Sequence, residues 1–333
     1  MKHITLSCGS GGLESYKLID EVIYEILGGL ILDMHEDAGV YEGKGRMATS
    51  TDSYVISPLV FPGGDIGKLC VCGSSNDVAM RGAKPLYMCL GLILEEGLDV
   101  SLLKQILYSI KQEARKGGLR IISGDTKVVP KGAVDKIFIN TTAFGEVVSD
   151  WRVGRIQEGD DIILSAPIGA HGAVIFCERN EIALQSDLQS DCAQLYPLIE
   201  SVHNCEIHTM RDATRGGLSA VLNEWCRAAK VEISINEESV PILEQVSGVC
   251  EILGLEALSL ANEGVCVMAL PASESKEVLA KLRAHELGRH ACIIGRVSKR
   301  VQNIESARVI LCNQWGGKRY MEYPQGELLP RIC

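Results

Sequence analysis

Aromatic residues make up only 5% of the chain, so its core has to be built from aliphatic side chains and alanine. No apolar run reaches the about 18 residues that a membrane-spanning helix requires. The opening stretch, Met1 to Gly12, lacks an apolar segment of signal-peptide length. We therefore expect no membrane anchor and a cytoplasmic location. Positive charge is scarce, with 33 Lys and Arg against 43 Asp and Glu, a net charge of −10. That balance disfavours a general nucleic-acid binder and suits carboxylates gathered around a divalent cation. No Gly-x-x-x-x-Gly-Lys-Ser/Thr phosphate loop, kinase signature set, short repeat or low-complexity stretch occurs. Any ATP bound here is held by another architecture.

No Cys-x-x-Cys pair is found among 13 cysteines. Cys70 and Cys72 have no second pair nearby, and Cys89, Cys266 and Cys292 sit in apolar stretches, where cysteine acts as a small hydrophobe. So many thiols fit a reducing compartment. The sequence closes on Leu329-Pro330-Arg331-Ile332-Cys333, and the three residues that prenylation would need after the cysteine are missing. Eleven residues from Tyr323 to Cys333 span up to roughly 36 Å when extended. We expect a swinging arm that carries a thiol-bound group, with Cys333 outside any core.

A length of 333 residues with 46% hydrophobic content suggests two domains. The expected division is a flexible glycine-rich segment and helix over 1–45, an ATP-binding and dimerisation domain over 46–150, a second α/β domain over 151–322, and a flexible tail over 323–333. Tyr16, Ile19, Ile23, Ile26 and Leu27 share one face of a helix stopped by Gly28-Gly29. Strands are expected at 46–56, 86–94, 119–123 and 136–144, and helices at 66–81 and after the Asp99 cap. Further on, strands are expected at 161–165, 231–235, 264–270, 291–297 and 308–312. Helices are expected at 170–179, 190–201, 216–229, 242–253 and 274–287.

Four aspartates stand among glycine, asparagine, serine or threonine rather than in charged runs: Asp52, Asp77, Asp125 and Asp212. One such residue is usually a turn or cap. Four at the edges of apolar elements suggest shared work on metal and phosphate. Arg211-Asp212-Ala213-Thr214-Arg215-Gly216-Gly217 directly precedes an expected helix, whose N-terminus favours phosphate. Lys127 follows Gly124-Asp125-Thr126 and is placed to enter the same cleft, although a solvated lysine is its ordinary role. Glu263, in Leu260-Ala261-Asn262-Glu263-Gly264, is a charge in an apolar stretch and has to be paired or functional.

Taken together, these segments resemble one family. Phe61 to Leu69, Ser75-Asn76-Asp77-Val78-Ala79, Ile93 to Leu98, Ser123 to Val129, Met210 to Gly217, Ala261 to Gly264 and the closing Pro330-Arg331-Ile332-Cys333 are similar to the HypE maturation factors of [NiFe]-hydrogenases. The wider superfamily includes aminoimidazole ribonucleotide synthetase, selenophosphate synthetase and thiamine-monophosphate kinase. The resemblance implies two mixed α/β domains (an α+β protein) as in aminoimidazole ribonucleotide synthetase, a homodimer joined through N-terminal strands, and ATP with Mg²⁺ between the domains. It implies that Cys333 receives a carbamoyl group from the carbamoyltransferase HypF. ATP-dependent dehydration would then give a thiocyanate, whose cyanide passes to iron on a HypC–HypD complex. It carries Asp52, Asn76, Asp77, Gly124, Asp125, Thr126 and Asp212 over as nucleotide-binding residues, with the four aspartates as metal ligands. It makes Cys333 the carrier, with Glu263 and Lys127 as catalytic partners. The chain departs from the family at Cys8, where a histidine commonly opens the Gly-Ser-Gly-Gly loop, so Cys8 is left out of the catalytic set.

Expelling an amide oxygen to form a nitrile requires making that oxygen a leaving group, as phosphorylation does, and removing two N–H protons. Glu263 is the preferred proton acceptor, with Lys127 orienting the amide. Two other readings stay open. One is an enzyme acting on a free small amide, indifferent to Cys333. The other is a non-catalytic carrier, indifferent to Asp77.

Overall fold

The computed structural model describes residues 2–9, 13–31, 41–182, 187–324 and 331–333. Ser10, Gly11 and Gly12 of the opening loop, and Pro330 of the closing segment, lie outside them. The first helical stretch is α1 (Leu13–Leu18), a π-helical Ile19–Tyr24 and α2 (Glu25–Leu27), ending at Gly28 as expected. Next come β1 (Met47–Tyr54), the short pair β2 (Val60–Phe61) and β3 (Gly64–Asp65), α3 (Ile66–Met80), β4 (Ala83–Glu95), α4 (Val100–Lys116), β5 (Arg120–Val129) and β6 (Ile137–Val147). Asp65 starts α3 by accepting the Lys68 amide at 2.9 Å, and Asp99 starts α4 by accepting the Ser101 amide at 2.7 Å. Among the described residues these strands form a four-stranded sheet in the order β1-β6-β4-β5. Helix α3 packs on it and on α4, and Gly67 allows the close approach, since a Cβ there would lie 2.3 Å from the Ile106 carbonyl oxygen.

The second half holds β7 (Asp161–Leu164), α5 (Ala170–Arg179), α6 (Tyr196–Glu200), β8 (Thr209–Asp212), α7 (Gly217–Ala229), β9 (Val231–Asn236), α8 (Glu244–Leu253), β10 (Cys266–Leu270), α9 (Ser275–Arg283), β11 (Cys292–Arg300), β12 (Arg308–Cys312) and β13 (Lys318–Met321). The sheet order is β13-β12-β9-β11-β7-β10-β8, parallel only between β9 and β12. Its centre is buried on both faces. Ile162, Leu164, Val267 and Ala269 pack against Leu218, Leu222 and Trp225 of α7. Ile163, Cys266 and Met268 point the other way, onto Leu198 of α6 and Leu282 of α9. The period of two along each strand separates these cores, and burial on both sides explains why the strands read as unbroken apolar runs.

Two expectations need correction. The helix at 190–201 is confined to Tyr196–Glu200. Residues before it give their amides to non-helical partners: Ser190 to the Pro62 carbonyl at 2.9 Å, Leu195 to the Asn76 side chain at 2.9 Å. The acidic turn at Asp125 is not a turn, because β5 runs straight through Gly124-Asp125-Thr126-Lys127, paired in parallel with Leu90–Ile93 of β4. None of the cysteines forms a disulfide, and most are buried. No helix among the described residues is long and apolar enough to cross a membrane.

Candidate active site

Alternation along β1 puts Ser50, Asp52 and Tyr54 on the face covered by α3. The last turn of α3 presents Asp77, whose Oδ2 accepts a 2.6 Å hydrogen bond from the Ser50 hydroxyl. Asp52 is hydrogen-bonded to the Asp77 carboxyl. Burial and then the Asp77 charge raise it to about 6, against a smaller pull from Arg215. Asp212, the last residue of β8, reaches the same place from the second sheet. Burial and then Asp77 push it to about 8, with Arg211 the main opposing charge. Tyr54 Oη accepts the Ser74 amide at 2.9 Å, and only glycine fits at position 73, where a Cβ would lie 2.3 Å from that oxygen.

Crowding of Asp77 against Asp52 and Asp212, the two carboxyls whose proton affinity is raised, favours an incoming cation. Among the described residues, no three His, Cys, Asp or Glu side chains converge as a complete metal cage. Mg²⁺ takes one or two carboxylates and fills its shell with phosphate and water, so a cation here would need the phosphates of a nucleotide to complete its shell. Asp52, Asp77 and Asp212 are the residues that could hold it.

Glu263 lies in the turn before β10, 3% exposed. Burial holds its carboxyl well above the usual range, and neighbouring Cys192, Asp212 and Asp191 act in the same direction. Asp191 fixes the turn, with Oδ2 accepting the amides of Glu263 at 2.8 Å and Gly264 at 2.9 Å. Position 264 must be glycine, since a Cβ would sit 1.9 Å from the Asp191 carbonyl oxygen. Asn262 braces the same turn, accepting the Gly169 amide at 2.6 Å and donating to the Ala213 carbonyl at 2.7 Å. Asn76, expected at the nucleotide, is 1% exposed and directs its amide at main chain. It donates to the Ala193 carbonyl at 3.0 Å and accepts from the Leu195 amide, tying α3 to the second half.

Cys333 meets these groups. A cavity of about 440 Å³ is lined by Asp52, Asp77, Asp212, Arg215, Glu263 and Cys333, among others. The expectation that the closing residues stay outside any core fails. Ile332 is 3% exposed and belongs to the core that joins α3 and α4 of the first half to α5 and α8 of the second. The Val55 amide donates to the Cys333 carbonyl at 3.0 Å, and Arg331 Nε to the Val55 carbonyl at 2.7 Å. Arg331 also pairs with Asp135 at 3.1 Å, and Arg179 donates to the Arg331 carbonyl. Burial, then Glu263, raises the Cys333 thiol to about 12. The closing triplet thus adds hydrogen bonds at Val55, just past β1, which holds the thiol over the carboxyls.

A second cavity, of about 450 Å³, adjoins the first at Asp77, Arg211 and Asp212, and is walled by Val78, Met80, Val153 and Trp225. Its apolar sides and shared acidic floor suit a heterocycle whose phosphates reach the carboxyls. Gly124, Asp125, Thr126 and Lys127 lie elsewhere. Lys127 pairs with Asp125 at 2.8 Å with both side chains 66% exposed. Gly124, Asp125 and Thr126 border a separate cavity of about 190 Å³ beneath Ile23 and Leu27. Within one subunit Lys127 is therefore not brought to Glu263. Cys8 is buried, 4% exposed, near Thr5. Sequence reasoning missed Tyr54, His171, Asp191 and Arg215 as parts of this site. Arg215 stands in the conspicuous 210–217 segment. The other three are polar residues whose partners are distant in sequence, so no local spacing marks them.

Residues 35–147 match the N-terminal domain of AIR synthase related proteins, and residues 157–305 match the C-terminal domain. The chain is 43% identical to carbamoyl dehydratase HypE of Escherichia coli (strain K12), over 343 aligned positions covering 100% of both chains. It superposes on a crystal structure of hydrogenase maturation protein HypE in complex with ATP with a TM-score of 0.91, at 40% identity and 99% coverage of each chain. It superposes on the chain of a HypE–HypF complex with a TM-score of 0.80, at 39% identity, over 92% of this chain and 99% of that one. Full-length likeness in sequence and fold, with both AIR synthase related domains in order, makes this chain a member of the HypE carbamoyl dehydratase family of hydrogenase maturation proteins.

Proposed function

We propose that the protein dehydrates a carbamoyl group carried on the Cys333 thiol to a thiocyanate, consuming ATP, and so supplies cyanide ligands for the iron of a [NiFe]-hydrogenase. The observation that carries this reading is the single cavity in which the Cys333 thiol, the Glu263 carboxyl and three aspartates face one another. The amide oxygen of Cys–S–C(=O)–NH₂ takes the γ-phosphoryl group of ATP. The C–O bond then breaks, phosphate leaves, two N–H protons are lost, and Cys–S–C≡N remains with ADP and phosphate.

The heterocycle of ATP occupies the cavity beside Trp225, and its phosphates reach Asp77 and Asp212. Mg²⁺ on Asp52, Asp77 and Asp212 would supply charge neutralisation for the transferring group. Arg211 and Arg215, which line the carboxylate cavity, bind phosphate oxygens. Glu263 accepts a proton from the amide nitrogen, and its buried setting makes its ionised form a strong base.

Asp125 and Lys127 join the reaction across a homodimer. The four-stranded sheet supports this, because one of its faces carries the exposed Met47 and Ile93. The carbamoyl donor is HypF and the cyanide acceptor a HypC–HypD complex. The relative solved with HypF supports the first partner. Residues 46–150 and 151–322 act as the two domains that close on the nucleotide.

The test is the mass of the peptide containing Cys333 after incubation with carbamoyl phosphate, ATP, Mg²⁺ and the carbamoyltransferase. The expected record is gain of a carbamoyl group, then loss of one water only when ATP is present. Glu263→Gln should accept the carbamoyl group and stop there. An unmodified thiol, with the transferase active on another acceptor, would refute the reading.

A further inference from the structure

We propose that His171 is a positioning residue for the Cys333 thiol: by donating from Nε2 to the Ile332 carbonyl it sets the depth at which residues 331–333 lie in the cleft. His171 stands in the first turn of α5 and is wholly buried. Its Nε2 lies 2.9 Å from the Ile332 carbonyl oxygen, and its Nδ1 lies 2.8 Å from the Ser190 hydroxyl. A carbonyl can only accept, so Nε2 carries the proton. The neutral ring then accepts from Ser190 at Nδ1. Ser190 Oγ in turn accepts the Cys192 amide at 3.1 Å, which leaves its own hydrogen for the ring. Burial lowers the proton affinity of His171 and keeps the ring neutral. The Phe61 ring lies edge-on to the imidazole at 5.5 Å and 80°, which limits its tilt.

The backbone of His171 is fixed by the same group that fixes Glu263. The His171 amide donates to Asp191 Oδ1 at 2.7 Å, while Asp191 Oδ2 holds the amides of Glu263 and Gly264. One carboxylate therefore references both the tail-binding imidazole and the turn bearing the proton acceptor. Burial of Ile332 is non-directional, and the bonds from Val55, Asp135 and Arg179 fall on Arg331 and Cys333, so the Ile332 carbonyl between them is held by His171. A hydrogen bond from a ring locked at both nitrogens is directional. Loss of one such bond of ordinary net strength shifts an equilibrium by about three- to tenfold.

This inference rests on the proposed function only for its turnover readout, and its primary test needs no ATP. The intact protein and the variants His171→Phe, His171→Asn and His171→Gln are treated with iodoacetamide, and alkylation of the peptide containing Cys333 is followed by mass. Phenylalanine keeps the ring volume and loses both bonds. Asparagine meets Ser190 and falls short of Ile332. Glutamine places an N–H where Nε2 stood. We expect alkylation to rise about three- to tenfold in the Phe and Asn variants and to stay within about twofold of the parent in the Gln variant. At saturating ATP, dehydration should fall in the same rank order with KM for ATP unchanged. If the Phe variant does not fold, the contrast of Asn with Gln decides. Equal alkylation in the folded Asn, Gln and parent proteins would overturn the assignment, even if dehydration were intact.

Discussion

Replacing Asp212 by asparagine removes a buried carboxyl that the folded protein holds in its neutral form. Burial and Asp77 raise Asp212 to about 8, whereas an unfolded chain releases that proton near pH 3.9. Between about pH 4 and 8 the folded state keeps a proton that the unfolded state has lost, so stability falls as pH rises through that window. Asp52, raised to about 6, acts in the same direction over the lower part of it. A difference of about four units corresponds to about 5 kcal/mol. Solvent entering the cavity and movement of Arg211 relax part of this, leaving about 2–3 kcal/mol for Asp212 itself. Asparagine does not ionise, so Asp212→Asn should match the parent at pH 4 and exceed it at pH 9. With the usual scaling for chains of this size, the gain is about 5 °C in melting temperature. The assay is thermal melting followed by circular dichroism at both pH values without divalent metal, then at pH 8 with Mg²⁺ and ATP. Metal and nucleotide should raise the parent's melting temperature and leave the variant's nearly unchanged. Parallel pH profiles for the two proteins would refute the account of Asp212 as a carboxyl kept neutral until a cation arrives.

Gly264→Ala should misplace Glu263, because the new Cβ would meet backbone 1.9 Å away; we expect loss of about 2–4 kcal/mol in urea melts, and unchanged stability would contradict the packing described. Asp191→Ala strands three amide donors and should cost about 3 kcal/mol, with dehydration lost even where the protein remains folded, as turnover assays at low temperature would show. The Cys333 thiol, raised to about 12 by burial, should react with iodoacetamide at pH 8 at least about 100-fold more slowly than the same peptide in urea, since a free thiol ionises near 8.5. Its rate should climb about tenfold per pH unit, and the reactivity of a free thiol would show that the segment is undocked in solution. Lys127→Ala breaks an exposed pair and should change stability by less than about 0.5 kcal/mol; if Lys127 serves a partner subunit's cavity, turnover falls more than about tenfold, and full activity would remove it from the site.

Much of the fold follows from local signals. The bounds of α5 and β12 follow directly from apolar periodicity, and Asp99 starts α4 because a carboxylate there satisfies a free helix amide. The same local logic misjudges residues 190–195. Their composition suits a helix, yet their amides bond to Pro62 and Asn76, more than a hundred positions away. It misjudges Asp125 as well, since a glycine-aspartate pair reads as a turn until β4 pairs alongside it. Asp52, Asp77, Asp212 and Glu263 stand out in the sequence because charge beside apolar or glycine-rich stretches is costly to bury. Nothing in the sequence tells that they face one cavity while Lys127 does not.

By itself, then, the sequence determined the element types, the two α/β halves, the acidic candidates and the family likeness, all of which rest on periodicity, capping and short motifs. Only the tertiary structure decided that Ile332 is core, that Cys333 lies over the carboxyls, that His171 and Asp191 hold them in register, and that Asn76 braces the two halves. Each of these depends on hydrogen bonds and burial between segments far apart in the chain. Such contacts exist only after the two sheets have packed, and so leave no trace in local spacing.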